Sequence, residues 1–152
     1  MPGVRDKINS DLKEAIKNRE ETACLTLRGL LAVILNKDKK KEYEKSEKLT
    51  DQEIIETVSS EVKKRRDSIS DFSKGGRQDL VDKEKKEMEV LLKYLPSQLS
   101  DSELRSIVKS AIDEVGASDM SDLGKVMGSL MPKVRGRADG AKTTQLVKEM
   151  LQ

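Results

Sequence analysis

Residues 50–74 read TDQEIIETVSSEVKKRRDSISDFSK, and this stretch decides the fold. It opens with a capping box, because the Thr50 hydroxyl can accept from the Glu53 amide while the Glu53 side chain reaches back. Gly75-Gly76 supplies a left-handed stop after it. The spacing therefore predicts a long amphipathic helix. Its apolar stripe consists of Ile54, Ile55, Val58, Val62, Ile69 and Phe72.

The same helical spacing extends towards the N-terminus. It predicts a helix over residues 4–19 and another over residues 22–36, and because the second is apolar nearly all round we expect it to be the most buried. Residues 37–48 are mostly charged. The favoured interpretation is a solvated helix end followed by a loop, with partner binding as the alternative. Asp79 is then the expected N-cap of a further helix that runs to residue 95.

The helical pattern breaks at Pro96, because the residue before a proline avoids helical backbone angles. Beyond it, Ser100 and Glu103 form a second capping box and open a helix that closes at Gly116. A short helix over about residues 121–131 is expected to end at Pro132, and a basic loop then leads to a last helix.

These elements define the predicted organisation. The sequence predicts an all-α protein. An N-terminal helical domain of about four helices covers residues 1–95, and a small C-terminal three-helix domain covers residues 97–152.

Composition excludes several kinds of function. The chain has 152 residues and no His, which removes the commonest general base and the commonest metal ligand. Its single cysteine, Cys24, lies in an apolar run, so we expect a small core residue rather than a catalytic thiol. Aromatic residues make up 2% of the chain, which argues against stacking of single-stranded bases. No catalytic constellation, cofactor motif or metal site is predicted.

Residues 123–142, which run from the next-to-last predicted helix through the following loop to the start of the last helix, are basic and contain glycines. Two or more of their cations beside a helix N-terminus predict a site for an RNA phosphate backbone. The alternative is a solvated loop whose cations offset the negative end of the preceding helix. The five candidate RNA contacts are Lys125, Lys133, Arg135, Arg137 and Lys142.

Three glycines of this segment are candidates for a close approach: Gly124, Gly128 and Gly136. Gly124 and Gly128 lie four apart on one helix face, and each glycine costs a helix roughly 1 kcal/mol. Because glycine carries this cost, its presence twice on one face indicates that another group packs closely against that face. A neighbouring helix of the same domain is the favoured explanation, and an RNA backbone is the alternative.

A run of four cations on the central helix ends in Arg65 and Arg66. Glu61 and Arg65 stand four residues apart and can pair. Because an arginine occupies a position where the stripe expects an apolar residue, we expect structural ion pairs with Asp79 or Glu84. RNA contact is the alternative.

Several separated motifs resemble the YqeY family over essentially the whole chain. They are EVKKRRDSI (61–69), GRQDLV (76–81), YLP (94–96), GKVMG (124–128), PKV (132–134) and GRADG (136–140). The C-terminal part is also similar to the tail domain of the B subunit of glutamyl-tRNA(Gln)/aspartyl-tRNA(Asn) amidotransferase, which helps to bind tRNA.

The resemblance implies a non-catalytic accessory protein that binds tRNA or another structured RNA. The tail motif matches Lys125, Lys133 and Arg137, which are the expected phosphate contacts, and Arg135 and Lys142 are added on charge. Two alternatives remain open. One is carbon–nitrogen ligase activity with glutamine as amido-N-donor, and the other is a protein–protein adaptor that docks on amidotransferase or synthetase components.

A bacterial, cytoplasmic protein is expected. The family that it resembles is a bacterial one, and the longest apolar stretch, residues 30–35, is far shorter than the ~20 residues that a membrane span needs. We therefore expect no membrane among its partners, and because no metal or cofactor motif is predicted we expect no metal or cofactor either.

Overall fold

The computed structural model describes residues 3–152, and in these residues it shows seven α-helices and no strand. One compact unit ends at Leu95 and a second runs from Pro96 to Gln152. The prediction of an all-α protein is confirmed. The helices are α1 (Val4–Lys17), α2 (Glu21–Lys45), α3 (Asp51–Lys74), α4 (Gln78–Leu92), α5 (Asp101–Val115), α6 (Leu123–Val134) and α7 (Gly140–Leu151), with a 3-10 turn (Met120–Asp122) before α6.

Helix α3 begins and ends where its local sequence dictates. The Thr50 hydroxyl accepts from the Glu53 amide at 3.2 Å, and a Glu53 carboxylate oxygen accepts from the Thr50 amide at 3.2 Å, so the capping box is complete. Past its end, Gly76 adopts the left-handed φ of 71° that glycine favours.

The first unit encloses one apolar core to which all four of its helices contribute. Each large side chain buried in such a core stabilises the fold by about 1.5–3 kcal/mol. Its buried members are Ile8, Leu27, Leu30, Ile34, Ile54, Val58, Val62, Leu91 and Tyr94.

The charged segment after residue 36 is mostly the solvated helix end and loop that the sequence predicts, but two of its side chains, Asp38 and Lys41, pack against the rest of the unit. Helix α2 continues through it to Lys45, and Asp38 within it is only 3% exposed. The Arg5 guanidinium donates to both Asp38 carboxylate oxygens, at 2.6 and 2.9 Å, and the Leu49 amide donates to one of them at 2.9 Å. The hydrogen bond from Arg5 also holds the pKa of the Asp38 carboxyl below its usual range. These contacts explain why Asp38 is buried within an otherwise exposed segment.

One turn further along α2, Lys41 makes a second contact of the same kind. Its ammonium lies 2.5 Å from a Glu53 carboxylate oxygen on α3. This hydrogen bond, supported by the Thr50 amide, lowers the pKa of Glu53 to about 2. Lys37 similarly donates to the Thr57 hydroxyl at 3.2 Å, so the charged segment ties α2 to α3.

We expect the first unit to lose stability in acid as Glu53 becomes protonated. A carboxyl whose pKa falls on folding stabilises the folded state above its unfolded pKa, and that stabilisation is lost as the pH drops through the folded value. For Glu53 the window runs from about 4.5 down to about 2. Chemical unfolding measured across this range should show a shallower loss for Glu53→Gln than for the wild type. Glu56→Gln, on the exposed side of α3, is the control, and equal slopes for all three proteins would contradict the role of Glu53.

The second unit has its own core between α5, α6 and α7. The Ser100 hydroxyl caps α5 by accepting from the Glu103 amide at 3.2 Å, and Gly116 ends that helix with a φ of 67°. The buried residues of this core are Leu104, Val108, Ala111, Val126, Leu130, Val134, Leu146, Val147 and Leu151.

Pro132 does not end α6, contrary to the expectation from the sequence. The helix continues to Val134, whose side chain is buried in the core of the second unit, and the Arg135 amide still bonds to the Met131 carbonyl at 2.9 Å. The packing of Val134 therefore offsets the cost of a proline in the last helical turn.

Helix α2 is less buried than its composition suggests. Leu25 and Leu35 are 58% and 52% exposed, and Cys24 is half-buried rather than enclosed in the core. An apolar residue gains burial only where a neighbour covers it, and no other helix of the first unit covers Leu25 and Leu35. None of the helices in residues 3–152 has both the length and the apolar character of a membrane span.

Candidate nucleic-acid interface

The loop between α6 and α7 is hydrogen-bonded to residues 97–99, which precede α5 in the second unit. The Leu99 amide donates to the Arg137 carbonyl at 2.8 Å, and the Gln98 side chain donates to the Gly136 carbonyl at 2.8 Å. Gly136 takes a left-handed φ of 76°, and a Cβ there would stand 3.7 Å from the Pro96 ring. These hydrogen bonds hold the basic loop in one conformation, and we call it the braced turn.

Helix α7 starts immediately after this turn. The Asp139 side chain accepts from the Ala141 amide at 3.2 Å and so caps the helix. A carboxylate therefore occupies this N-terminus, which offsets the attraction that the end of α7 would otherwise offer to a phosphate.

Two of the five candidate cations are engaged with carboxylates of α5. The Lys133 ammonium lies 2.8 Å from Glu114, and Lys142 forms an ion pair with Asp101. Each lysine lowers the pKa of its carboxyl partner through that hydrogen bond. All four side chains are exposed, and exposed ion pairs are worth about 0–1 kcal/mol, so a stronger anionic ligand can displace them.

The five cations do not gather in one cluster. Glu114 lies near the end of α5 and Asp101 at its start, and their separation corresponds to about 20 Å along a helix. Lys133 and Lys142 therefore lie near opposite ends of α5.

The remaining three cations differ in their contacts. Arg137 is half-buried, and its guanidinium donates to the Ser97 carbonyl at 3.2 Å. Lys125 and Arg135 are exposed, and within residues 3–152 neither side chain makes a hydrogen bond or ion pair. These two side chains are the most available to an external anion, and they stand at the two ends of α6.

The exposed side of α6 lies between these two cations and is nearly free of side chains. Gly124 and Gly128 are exposed, and a Cβ added at either one would meet no atom within 4 Å. The favoured explanation from the sequence, close packing against a neighbouring helix, is therefore wrong. Pro132 is exposed on the same side and adds no hydrogen-bonding group. We call Gly124, Lys125, Gly128, Pro132 and Arg135 the α6 face.

The predicted ion pair of Arg65 forms with a different partner. The Arg65 guanidinium donates to the Glu61 carbonyl at 3.1 Å and lies 3.6 Å from the Glu61 carboxylate, as their i, i+4 spacing allows. Asp79 does not cap α4, which begins at Gln78, and it pairs with Arg77 at 3.1 Å. Helix α3 continues for about 14 Å beyond Arg65 before it ends at Lys74, and Asp79 comes after that end, in the first turn of α4. Arg66 and Glu84 are half-buried.

Sequence reasoning missed the residues that position the loop. The sequence pattern assigns no role to Ser97, Gln98 and Leu99, whereas the structure uses them to hold Gly136 and Arg137. The resemblance at residues 136–140 was a signal that this turn has a defined shape, but its supporting contacts come from about 40 residues earlier in the chain.

These features define a class: an all-helical protein of two compact units in which a braced basic turn joins the last two helices. The model of the YqeY family, described as Yqey-like protein, matches residues 5–151. The chain belongs to the YqeY family, and the expected resemblance is confirmed.

Several similar curated proteins are fungal. The chain is 30% identical over 152 residues to "Altered inheritance of mitochondria protein 41, mitochondrial" of Pyrenophora tritici-repentis, an alignment that covers 97% of this chain and 81% of the relative. Proteins of the same name from Eremothecium gossypii and Lachancea thermotolerans are 38% and 33% identical, over 58% and 75% of this chain. The alignments span 46% and 60% of those two relatives, which is less than two thirds of their length.

These names correct the expectation of a bacterial, cytoplasmic protein. The three relatives are fungal and are named as mitochondrial, which contradicts both parts of that prediction. None of the three names refers to RNA.

Proposed function

We propose that this protein is a non-catalytic accessory protein that binds tRNA or another structured RNA through the α6 face. The observation that carries the proposal is the pair of open glycines on the same helix face as two unengaged cations. A helix loses stability by carrying glycine instead of alanine, and nothing within the described chain occupies the space that Gly124 and Gly128 leave. An external ligand that approaches the helix backbone closely explains why glycine stands at both positions, because any side chain there would keep the ligand away.

The charges on this face support a phosphate backbone as that ligand. Lys125 and Arg135 can each contact a phosphate, one at either end of α6. Lys133 adds a third contact when the ligand displaces Glu114 from its exposed ion pair. The glycines and the proline between them offer no side-chain donor or acceptor to base edges.

This arrangement favours recognition of shape and backbone over recognition of sequence. A folded RNA presents phosphates and 2′-hydroxyls on its surface, and proteins recognise such helices mostly by those groups. With aromatic residues at 2% of the chain, base stacking contributes little. The expected ligand is therefore a structured RNA.

The test is an electrophoretic mobility shift of the full chain with tRNA. Because the fungal relatives are named as mitochondrial, the probes include mitochondrial as well as total tRNA. Removing two phosphate contacts in Lys125→Ala/Arg135→Ala should weaken binding about tenfold or more and reduce the slope of log K against log salt by about two.

Lys109→Ala/Lys148→Ala is the matched control, because both lysines are exposed on α5 and α7 of the same unit and removal subtracts the same charge. This control should bind nearly as the wild type does. Equal losses in both double variants would show that charge matters but the α6 face does not, and no binding by the wild type would refute the proposed function.

A further inference from the structure

The first unit contains a groove of about 280 Å³ between α1, the start of α2 and the end of α4, and the RNA-binding proposal does not use it. The apolar part of its lining consists of Ala15, Ala23, Leu27, Val90 and Tyr94. Ligand pockets in proteins commonly measure about 300–1,000 Å³ and combine an apolar lining with a few polar groups. A groove of this size therefore fits a ligand such as a single amino acid.

Tyr94 brings a polar group into this lining. The residue is 8% exposed, and its hydroxyl donates to an Asp11 carboxylate oxygen at 2.6 Å. Burial and this hydrogen bond raise the pKa of the Tyr94 phenol, so the phenol stays protonated and keeps the Asp11 carboxylate oriented. The Lys7 ammonium lies 3.4 Å from the same Asp11 oxygen, so the charges of Lys7 and Asp11 offset each other.

Three further charged side chains line the groove, and within the part of the chain that the structure describes none of them has a partner of opposite charge. They are Glu14, Glu20 and Lys93, and all three are exposed. Glu14 accepts a hydrogen bond from the Asn18 side chain at 3.2 Å, which leaves its negative charge uncompensated. The groove therefore offers two negative charges and one positive charge beside its apolar lining.

The turn between α1 and α2 sets the position of Glu20. Arg19 in this turn takes a left-handed φ of 56°, which residues with a side chain rarely adopt. The Glu20 amide donates to the Ala15 carbonyl at 2.9 Å, and the Arg19 amide donates to the Ile16 carbonyl at 3.2 Å. These hydrogen bonds fix the backbone of the turn, so that Glu20 lines the groove and Arg19 does not.

We propose that this groove binds a free amino acid with a cationic side chain, of the class of lysine. Such a ligand carries two ammonium groups and one carboxylate, which match the number and sign of the uncompensated charges. Its ammonium groups complement Glu14 and Glu20, its carboxylate complements Lys93, and its methylene chain lies on the apolar lining. The binding is independent of the RNA-binding proposal, because no residue of the α6 face takes part.

The test is a titration of the isotope-labelled full chain with L-lysine, followed by NMR. We expect saturable shifts at amides of α1, of the turn after it and of the end of α4. Norleucine, which lacks the side-chain ammonium, and cadaverine, which lacks the carboxylate, should each bind about tenfold more weakly, because each loses one charge-assisted hydrogen bond. Nα-acetyl-lysinamide represents a lysine inside a protein chain. It lacks both charges of the free amino acid's backbone and should bind more weakly still.

Variants of the chain locate the ligand in the groove. Lys93→Gln should weaken the binding of L-lysine about tenfold without weakening that of cadaverine, because cadaverine has no carboxylate to lose a partner. Glu20→Gln should weaken the binding of both ligands. Lys83→Gln is the matched control, since Lys83 is exposed on α4 outside the groove and its removal subtracts the same charge. This control should bind L-lysine as the wild type does.

Four outcomes overturn the proposal. The first is the absence of saturable shifts at these amides at millimolar L-lysine. The second is equal affinity for L-lysine, norleucine and cadaverine, which would mean that the groove does not recognise the charges. The third is equal affinity for Nα-acetyl-lysinamide, which would point to a lysine of a protein partner instead of a free amino acid. The last is an equal effect of Lys93→Gln and Lys83→Gln, which would mean that net charge and not the groove attracts the ligand.

Discussion

Asp38→Ala is expected to destabilise the protein by about 2–3 kcal/mol, although the residue lies in a segment that looks like solvated surface in the sequence. Asp38 accepts two hydrogen bonds from the Arg5 guanidinium and one from the Leu49 amide. The substitution leaves these donors without their acceptor. Because Arg5 is partly exposed and regains some hydration, the expected loss is smaller than for a fully buried ion pair.

Urea unfolding of the full chain, with hydrogen exchange at α2 amides to locate the effect, measures this loss. Glu42→Ala is the matched control, since it removes a carboxylate from an exposed position of the same helix. Its effect should stay within about 0.5 kcal/mol. A loss for Asp38→Ala no larger than that of the control would mean that the contacts with Arg5 and Leu49 contribute nothing to stability.

Gly124→Ala/Gly128→Ala is expected to stabilise the second unit by about 1 kcal/mol, mostly through Gly128 in the interior of α6, while it weakens RNA binding. The gain follows from helix propensity, because each new methyl group enters open space and meets no atom within 4 Å. The loss follows from the proposed function, because the same methyl groups stand where a phosphate backbone approaches. Opposite signs for stability and binding distinguish this face from an ordinary surface.

Thermal unfolding and hydrogen exchange at α6 amides report the stability, and mobility shifts report the binding. Ser106→Ala and Ser110→Ala on exposed positions of α5 form a control that also raises helix propensity, and it should leave binding unaltered. If the glycine variant binds tRNA as tightly as the wild type, the ligand does not approach this face. If it is less stable than the wild type, the open space around the glycines is not available to a methyl group.

The two predictions with large effects concern residues that contribute differently from what their residue types and sequence surroundings indicate. Asp38 is polar yet packed, because Arg5 and the Leu49 amide satisfy it. Gly124 and Gly128 are exposed yet costly, because they weaken a helix without any packing in return. The role of Asp38 depends on neighbours that are distant in the sequence, and the role proposed for the two glycines depends on an RNA ligand.

What the sequence by itself determined is local. The start of α3 at Thr50, the cap of α5 at Ser100 and the left-handed stop at Gly76 follow from hydrogen bonds and backbone angles within a few residues. The spacing of apolar residues likewise predicts helices, because one turn of a helix joins neighbours in the chain. Hence the all-helical class could be inferred from local spacing before the structure was known, and the family from the separated motifs that resemble it.

Only the tertiary structure decided which charges are engaged and which surfaces are covered. Asp38 is buried because packing brings Arg5 to it across 33 residues, and Lys142 is paired because α5 places Asp101 beside it across 41 residues. Lys125 and Arg135 carry the same charge as Lys142, yet no carboxylate of the described chain is brought to them. The physical reason is that helix formation depends on near neighbours, whereas burial and ion pairing depend on which helix faces pack together.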